Sequence, residues 1–235
     1  SGGASPNYTL VQPTGLAADI TQKSISLTDV RRVYNANSNV GGSAYMLGGL
    51  VAGDTVAVDA SGISGNFADK NVGTSKNVTL SGVALIGAQA GNYAIASGVT
   101  NAAIGAITPA ALTANGIVAL DKVYDGNTIA TLDNAAAALV GLLGSDNVAL
   151  VTGGSTGTFN NKNAGLNKTV TLAGYAVTGT DAANYVFTQP ASVLADITQF
   201  TGLTLTYPDR TIALDDTLAA AKGQARGGAP AAVKQ

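Results

Sequence analysis

The chain has 235 residues, of which 46% are apolar and only 11% charged, and its formal net charge is −2. It contains no His, no Cys and no Glu, so all 14 acidic residues are Asp. The absence of His excludes His-dependent catalysis, and the absence of His and Cys makes a zinc, copper, haem or iron–sulfur site unexpected. The sequence also lacks a stripe of basic residues, which predicts that the protein does not bind nucleic acid.

The first 21 residues look like the end of a unit that recurs later in the chain. Residues 6–22 (PNYTLVQPTGLAADITQ) match residues 183–199 (ANYVFTQPASVLADITQ). We therefore predict that residues 1–21 hold the closing strands of a preceding repeat. Because the N-terminus lacks a basic-then-apolar signal pattern, we expect the sequence to be a piece of a longer chain.

Two complete copies of the unit follow. Residues 65–95 lie over residues 157–187 at a constant offset of 92 with no gap. A unit of about 90 residues has the size of an independent β-sandwich. The sequence therefore predicts an all-β chain with repeats at residues 22–108 and 109–198, arranged end to end without a flexible linker.

Both copies contain segments in which apolar and polar residues alternate. Val170 and Leu172 alternate with threonines, and Tyr185 and Phe187 alternate in the same way. This period of two predicts strands that bury the apolar positions, and clusters of Gly, Asn and Asp between them predict turns.

The turn candidate DKVYDGNT, residues 121–128, concentrates charge and could be taken for a reactive site. Its counterpart in the first copy, RRVYNANS at residues 31–38, has Asn35 in place of Asp125. An Asn cannot act as a base, whereas Asp and Asn both form side-chain bonds to the backbone of a turn. The stretch is therefore predicted to be a turn.

Four tyrosines recur in pairs between the copies. Tyr34 and Tyr124 precede the turn, and each is predicted to fill one end of a core. Tyr93 and Tyr185 could present their rings to a sugar, but their alternation with apolar residues predicts burial instead.

The Ala- and Leu-rich residues 132–146 are compatible with a short helix, whereas their counterpart, residues 41–54, is interrupted by glycines. Farther along, KNVG (70–73) and KNAG (162–165) could form an anion-binding nest of backbone amides. The favoured interpretation of both is a hairpin or bulge with a solvated lysine.

Two chemical ways of stiffening the chain remain open. Asp19, Asp29, Asp121 and Asp196 near the predicted joints could bind calcium, although no Asp-x-Asp-x-Asp run is present. A Lys–Asn isopeptide bond would need a buried acid, and Glu is unavailable. Neither is adopted, and no catalytic, cofactor or metal-binding residue is predicted.

The last segment, residues 199–235, changes composition. Residues 201–207 (TGLTLTY) predict one more strand, and residues 214–225 could open a short helix before an Ala- and Gly-rich end.

Several blocks of the second copy resemble the YDG repeat, a bacterial immunoglobulin-like module. They are KVYDGNT (122–128), GLLGSDNV (141–148), the long stretch at 156–187 and ADIT (195–198). The resemblance covers residues 22–198, with VYNAN as a departure in the first copy. It implies tandem immunoglobulin-like β-sandwiches.

Modules of this kind occur in large secreted adhesins similar to filamentous haemagglutinin, which leave the cell through a partner barrel in the outer membrane. The resemblance therefore implies a non-enzymatic stalk or membrane-proximal region on the bacterial outer surface, with residues 199–235 near the export barrel. Two alternatives stay open: loops 41–54 and 132–146 bind a glycan or protein, or chains self-associate by strand addition through residues 201–207. An enzyme would be restricted to a Ser–Lys or Asp-pair mechanism.

Overall fold

A computed structural model of the chain describes residue 9, residues 11–207 and residues 210–214. The chain divides into two compact units, Ser1–Thr108 and Pro109–Gln235. Strands account for almost all the regular structure described, so the predicted all-β fold with two repeated units is confirmed. No helix in the described residues is long and apolar enough to cross a membrane.

The described residues of the first unit form eight strands. They are β1 (Lys23–Val33), β2 (Ala44–Gly48), β3 (Ala57–Asp59), β4 (Ser64–Phe67), β5 (Gly73–Ser81), β6 (Ala84–Ile86), β7 (Tyr93–Ile95) and β8 (Gly98–Thr108). The main sheet has the order β2-β1-β8-β5-β4, with β7 also paired to β1, and β3 pairs with β6 separately. A 3-10 turn, Ala90–Asn92, precedes β7.

The second unit repeats this arrangement with more interruptions. Its strands are β9 (Ala110–Asn115), β10 (Val118–Ala119), β11 (Lys122–Val123), β12 (Ile129–Ala130), β13 (Leu132–Asp133), β14 (Ala138–Val140), β15 (Ala149–Val151), β16 (Thr156–Phe159), β17 (Gly165–Ala173), β18 (Ala176–Thr178), β19 (Tyr185–Phe187) and β20 (Val193–Thr198). The larger sheet has the order β11-β20-β17-β16-β12, and a second sheet has the order β14-β9-β19. A 3-10 turn, Ala182–Asn184, precedes β19.

The long strand β1 corresponds to three short strands, β9, β10 and β11, in the second unit. Gly116 separates the first two and has a φ of +75°, where a Cβ atom would lie 2.1 Å from the carbonyl oxygen of Ala136. Only glycine fits this approach without a shift of the backbone. The bend lets β9 pair in one sheet and β11 in another.

The core of the second unit is formed by side chains from several of its strands. Residues from β9 and β10 pack with residues of the larger sheet in one cluster of buried side chains: Ala114, Ile117, Ala119, Ala130, Phe159, Val170, Leu172, Tyr175, Ala195 and Ile197. Val170 is 0% exposed and Leu172 4%, and Tyr185 is 7% exposed while the adjacent Val186 is 57% exposed. The predicted alternation is therefore confirmed.

The prediction of a short helix in residues 132–146 is wrong. The segment contains β13 and β14, and Leu139 of β14 lies opposite Ala114 of β9. Pairing with β9 gives these backbone groups partners along a whole strand, whereas a few alanines are too few to stabilise an isolated helix. Gly141, with a φ of +97°, then ends the strand.

The segments before and after the two repeats differ in secondary structure. Residues 11–22 contain no strand and their side chains are exposed, so the closing strands expected before residue 22 are not seen in that part. The strand predicted for residues 201–207 is confirmed as β21 (Leu203–Tyr207), which forms an antiparallel hairpin with β22 (Arg210–Leu214). The helix expected over residues 214–225 lies, beyond Leu214, outside the described residues.

Candidate functional site

The first candidate site is the place where the opening and closing strands of each unit pair with each other. In the second unit, Lys122 and Val123 of β11 pair in parallel with the end of β20. The amide of Tyr124 donates to the carbonyl of Thr198 at 2.8 Å, and the hydroxyl of Thr198 donates to the carbonyl of Lys122 at 3.3 Å. The same two bonds, with the same lengths, join Tyr34, Arg32 and Thr108 in the first unit.

The turn that follows is closed by a side-chain oxygen in both units. The Oδ1 atom of Asp125 accepts from the amide of Asn127 at 3.1 Å. In the first unit, the Oδ1 atom of Asn35 accepts from the amide of Asn37 at 3.3 Å. Because carboxylate and amide oxygens perform the same task, the structure supports the turn interpretation of residues 121–128.

The next position of the turn has a left-handed backbone in both units. Gly126 has a φ of +83° and Ala36 a φ of +64°. A Cβ atom at Gly126 would meet nothing within 4 Å. An alanine in this conformation carries some strain but no clash, which explains why the first unit tolerates it.

A lysine missed by the sequence analysis holds this turn from the inside. The Nζ atom of Lys122 donates to Oδ1 of Asp125 at 2.8 Å, to the carbonyl of Asn127 at 3.0 Å and to the carbonyl of Ile129 at 2.9 Å. It also lies 5.5 Å from the centre of the Phe159 ring. The hydrogen bond from Lys122 lowers the pKa of Asp125.

Arg32 performs the same task in the first unit. Its guanidinium donates to Oδ1 of Asn37 at 3.1 Å and also contacts the carbonyls of Asn37 and Asn39. The guanidinium lies 5.1 Å from the centre of the Phe67 ring, and burial lowers the pKa of Arg32. The signal in the sequence was a cation two residues before the tyrosine in both copies.

The recurring tyrosines of β7 and β19 hold loops rather than sugars. The hydroxyl of Tyr185 donates to Oδ2 of Asp146 at 2.7 Å and accepts from the amide of Leu143 at 3.1 Å. Asp146 is itself buried, with 9% of its surface exposed. With its ring buried and its hydroxyl used internally, Tyr185 does not present a stacking platform.

Tyr93 repeats this arrangement in the first unit. Its hydroxyl donates to the carboxylate of Asp54 and accepts from the amide of Val51 at 3.0 Å. The hydrogen bond to Asp54 raises the pKa of Tyr93. The motifs GLVAGD and GLLGSD therefore end in an Asp because that Asp receives the tyrosine hydroxyl.

Tyr34 and Tyr124 were each predicted to fill one end of a core, and this prediction is right for Tyr34 and wrong for Tyr124. Tyr34 is 2% exposed, but Tyr124 is 37% exposed. Tyr124 borders an open cavity that it shares with Asn163, Phe200 and Leu203. Its ring therefore faces solvent on one side instead of filling the core.

The proposed anion nests are occupied by the chain itself. The amide of Asn163 donates to Oδ1 of Asn161 at 3.0 Å, and the amide of Asn71 donates to Oδ1 of Asp69 at 2.7 Å. Each of these backbone amides is thus used within its own turn. The register shifts that follow, after Gly73 and after Gly165, show a bulge in both units.

The lysine after each bulge is largely buried, which was not predicted from the sequence. The Nζ atom of Lys168 donates to Oδ1 of Asn161 at 2.7 Å. Lys76 makes an ion pair of the same length with Asp69, and its hydrogen bond lowers the pKa of Asp69. The acceptor of this lysine can therefore be either an amide, as in Asn161, or a carboxylate, as in Asp69.

The Lys168–Asn161 contact has the residue types of an isopeptide bond, but it lacks the third group. Asp146 is the buried carboxylate in the part of the chain that the structure describes, and it binds Tyr185. The contact is a hydrogen bond in this structure, and an intact-mass measurement remains its test.

The four aspartates considered for calcium are not gathered at one point. Oδ1 of Asp121 accepts from the amide of Asp196, and Oδ1 of Asp196 accepts from the amide of Asn167, both at 2.7 Å. Asp29 instead pairs with Arg31. Within the described ranges, no three His, Cys, Asp or Glu residues are grouped so that they could hold a metal ion.

The sequence model of the YDG domain matches the chain twice, at residues 21–101 and 108–193, which together make up more than half of its length. The chain belongs to the YDG domain family. No curated protein and no solved structure matches it significantly. In both YDG domains, the recurring polar residues are those that secure turns and loops.

Proposed function

We propose that the two YDG domains are spacers in a large secreted bacterial adhesin and that they carry tension between a binding region and the cell surface. The observation that carries this proposal is the parallel pairing of the first and last parts of each domain. Residues 30–33 of β1 lie opposite residues 105–108 of β8. In the second domain, β9 pairs in parallel with β19 and β11 with β20.

This topology determines how a pulling force reaches the hydrogen bonds. In a parallel pair, the start of the first strand and the end of the last strand lie at opposite ends of the ladder. Tension applied through the chain therefore shears all bonds of the ladder at once. An antiparallel hairpin pulled at its open end would instead lose its bonds one after another, at lower force.

The recurring contacts strengthen the same region. Lys122 and Arg32 fix the turn that directly follows the parallel ladder, and Thr198 and Thr108 extend that ladder with their hydroxyls. The polar side chains that the two domains share are used inside each domain. This supports a mechanical role more than a catalytic one, and we propose that the chain has no enzymatic activity and needs no cofactor.

The export route and location that we propose come from the resemblance to large adhesins. The protein would leave the cell through an outer-membrane partner barrel and remain on the bacterial outer surface, with residues 199–235 near that barrel. Chains trapped during export, by a folded C-terminal fusion, should cross-link to the barrel through residues 199–235. Cross-linking through the two domains alone would contradict this part.

Force spectroscopy on single molecules tests the mechanical role. The chain has no Cys, so engineered cysteines give unique points of attachment. Pulled from both termini, the protein should show two separate unfolding steps, each releasing roughly 250–300 Å of chain. Pulled instead between Thr156 and Ala173, which lie opposite each other at one end of the β16–β17 hairpin, the second domain should yield at a clearly lower force. Equal forces in the two geometries would contradict the proposal.

A ligand-binding role for the loops is the second candidate. Met46 of β2 and Val51 lie within residues 41–54 and are 52% and 51% exposed, and Val140 of β14 lies within residues 132–146 and is 43% exposed. Such side chains would mark an interaction site if they formed part of one contiguous apolar patch. Saturable binding to a glycan or matrix protein, abolished by Met46→Asp or Val140→Asp but not by Val186→Asp, would support this candidate over the spacer.

A further inference from the structure

The two YDG domains differ in the length of the ladder that joins their opening and closing strands. In the first domain, β1 is continuous over 11 residues, and its last four residues lie opposite residues 105–108 of β8. In the second domain, two residues of β11 lie opposite the last two residues of β20. At the start of each domain, β1 with β7 and β9 with β19 form three pairs each. The difference is therefore confined to the ladder at the end of each domain.

The shorter ladder follows from the division of the opening strand in the second domain. Gly116 bends the chain after β9, and farther along the amide of Leu120 donates to the carbonyl of Thr131 at 2.9 Å. This amide is thus used outside the β11–β20 ladder. Val30, which lies 90 residues before Leu120, instead pairs with both β8 and β2. The first domain therefore holds its opening strand from two sides at a position where the second domain does not.

A side chain replaces one of the pairs that the second domain lacks. Asp121 and Asp196 lie 90 residues after Arg31 and Ala106, which are opposite each other in the first domain. In the second domain, the backbone amide of Asp196 donates to the Oδ1 atom of Asp121 at 2.7 Å. A carboxylate therefore joins the opening segment to the closing strand at a place where the first domain uses neighbouring backbones. Hydrogen bonds to a charged acceptor are stronger than those between neutral groups.

From this difference we propose that the two domains have graded mechanical strength: the second domain yields first under tension, and the Asp121–Asp196 bond bears part of the force there. This inference rests on the proposed spacer role and identifies the domain that limits it. Bonds that are sheared together each add to the barrier, so the domain with more of them resists longer. The chain would then lengthen by the second domain while the first domain stays folded.

Two marked chains show which domain unfolds first. In one, about 20 Gly and Ser residues are inserted between Gly153 and Gly154, in the turn that joins β15 to β16. In the other, the same insert is placed between Ser61 and Gly62, in the turn that joins β3 to β4. These four residues are exposed, and surface turns tolerate such insertions. The insert lengthens the unfolding step of its own domain by about 70 Å.

Each marked chain is held at constant force between cysteines engineered at its two ends. The longer step should come first when the insert is in the second domain and last when it is in the first domain. At a given force, the second domain should unfold about tenfold faster than the first, because its end ladder has fewer bonds. The reverse order, or the absence of a preferred order, would overturn the proposal.

Asp121→Ala tests the part of the force that the side chain bears. It removes the bond to Asp196 and should make the second domain unfold about tenfold faster again under end-to-end tension. Asp121→Asn keeps an oxygen acceptor and should restore the original rate. The matched control is Asp133→Ala, since Oδ1 of Asp133 accepts from the amide of Ala135 at 2.9 Å in a turn outside the ladder. This control should change the rate by less than about threefold.

The direction of pulling separates a role under tension from a general loss of stability. Between Thr156 and Ala173, where the β11–β20 ladder is not sheared, Asp121→Ala should change the unfolding rate by less than about threefold. Equal acceleration in both directions, or none in either, would overturn the role of Asp121. Equal forces in the two directions for the unaltered protein would contradict the spacer role itself. An inverted order of unfolding with unequal forces would overturn the graded strength alone.

Discussion

At the residue scale, the recurring side chains of the two YDG domains act on the chain itself. Tyr185 and Tyr93 each donate to an Asp of the loop that they cover, and Lys122 and Arg32 each hold a turn while lying over a phenylalanine ring. Such contacts fix irregular segments whose backbone groups have no strand partner. They explain why these positions recur in both domains.

Tyr185→Phe should destabilise the second domain. The change removes a hydrogen bond to the buried Asp146 and another from the amide of Leu143, while the ring is retained. We expect a loss of about 1–3 kcal/mol in the free energy of unfolding, because a buried acceptor loses its donor. Urea unfolding followed by circular dichroism measures it.

The control for this substitution is Val186→Ala, one residue away on the exposed face, which should change stability by less than about 0.5 kcal/mol. Equal effects of the two substitutions would show that the Tyr185–Asp146 bond does not matter for stability.

Each domain should lose stability in acid through an aspartate that accepts a hydrogen bond from a lysine. The pKa values of Asp69 and Asp125 are lowered in the folded state by hydrogen bonds from Lys76 and Lys122. Their contribution is therefore present above the ordinary Asp pKa, near 4, and is lost as the pH falls through the lower folded value. Both groups are at the surface, so the effect is modest.

Asp125→Asn tests this sign in the second domain, since the first domain already has Asn35 at that position. The variant should be slightly less stable at pH 7, and its urea midpoint should fall less than that of the unaltered protein between about pH 5 and pH 2. An unchanged pH dependence would contradict the role of the Lys122–Asp125 pair.

At this scale, the features that could be predicted were those that show in a comparison of the two aligned copies. The exchange of Asp125 for Asn35 indicated a turn, and the turn is present. The cation over the ring was not predicted, because Lys122 and Phe159 are distant in sequence and their contact depends on how β11 and β16 are placed in one sheet. The exposure of Tyr124 was missed for a similar reason, since the cavity beside it is formed by separate segments.

At the element scale, glycines decide where strands end and loops approach one another. Gly179 has a φ of +126°, and a Cβ atom there would lie 2.1 Å from the carbonyl oxygen of Asn147. Gly87 makes the same approach, at 2.3 Å, to the carbonyl oxygen of Thr55 in the first domain. The recurrence of both glycines follows from this contact between two backbones.

Gly179→Ala and Gly126→Ala should therefore differ in effect. The first places a methyl group against a backbone carbonyl and should cost at least about 2 kcal/mol, since neither backbone can easily move. The second meets open space in a conformation that Ala36 already adopts, and should cost about 1 kcal/mol. Thermal and urea unfolding of the two variants measure the difference, and equal losses would contradict the packing argument.

The elements themselves were predictable where alternation is regular and the strand is central. Strands β16 and β17 follow the pattern of apolar and polar residues closely, as the burial of Val170 and Leu172 shows. The failure came at residues 132–146, where runs of alanine suit a helix locally. Pairing of Leu139 with Ala114 overrode that preference, and such long-range pairing is invisible in a local composition.

At the scale of the whole molecule, each domain has a core of its own. The cluster around Phe159 and Val170 contains residues of the second domain alone. A protein comprising residues 109–214 should therefore fold by itself and unfold in a single cooperative transition. A broad, non-cooperative melt of that protein, followed by circular dichroism, would show that the second domain depends on the first.

The repeat was visible in the sequence because the two copies align without a gap over residues 65–95 and 157–187. The number of repeated units followed from that alignment. The parallel pairing of first and last strands did not, because strand order within a sheet depends on contacts between distant segments that alternation does not encode.

Only one residue, Pro109, separates the end of β8 at Thr108 from the start of β9 at Ala110. A genetic exchange between the two aligned copies would join them in phase, because equivalent residues occupy equivalent strands. Each hybrid domain would keep both kinds of contact, the cation over a phenylalanine ring and the tyrosine hydroxyl bound to an aspartate, because both parent domains have them. Such exchanges would lengthen or shorten the protein by whole domains, so its length could evolve in steps without passing through misfolded intermediates.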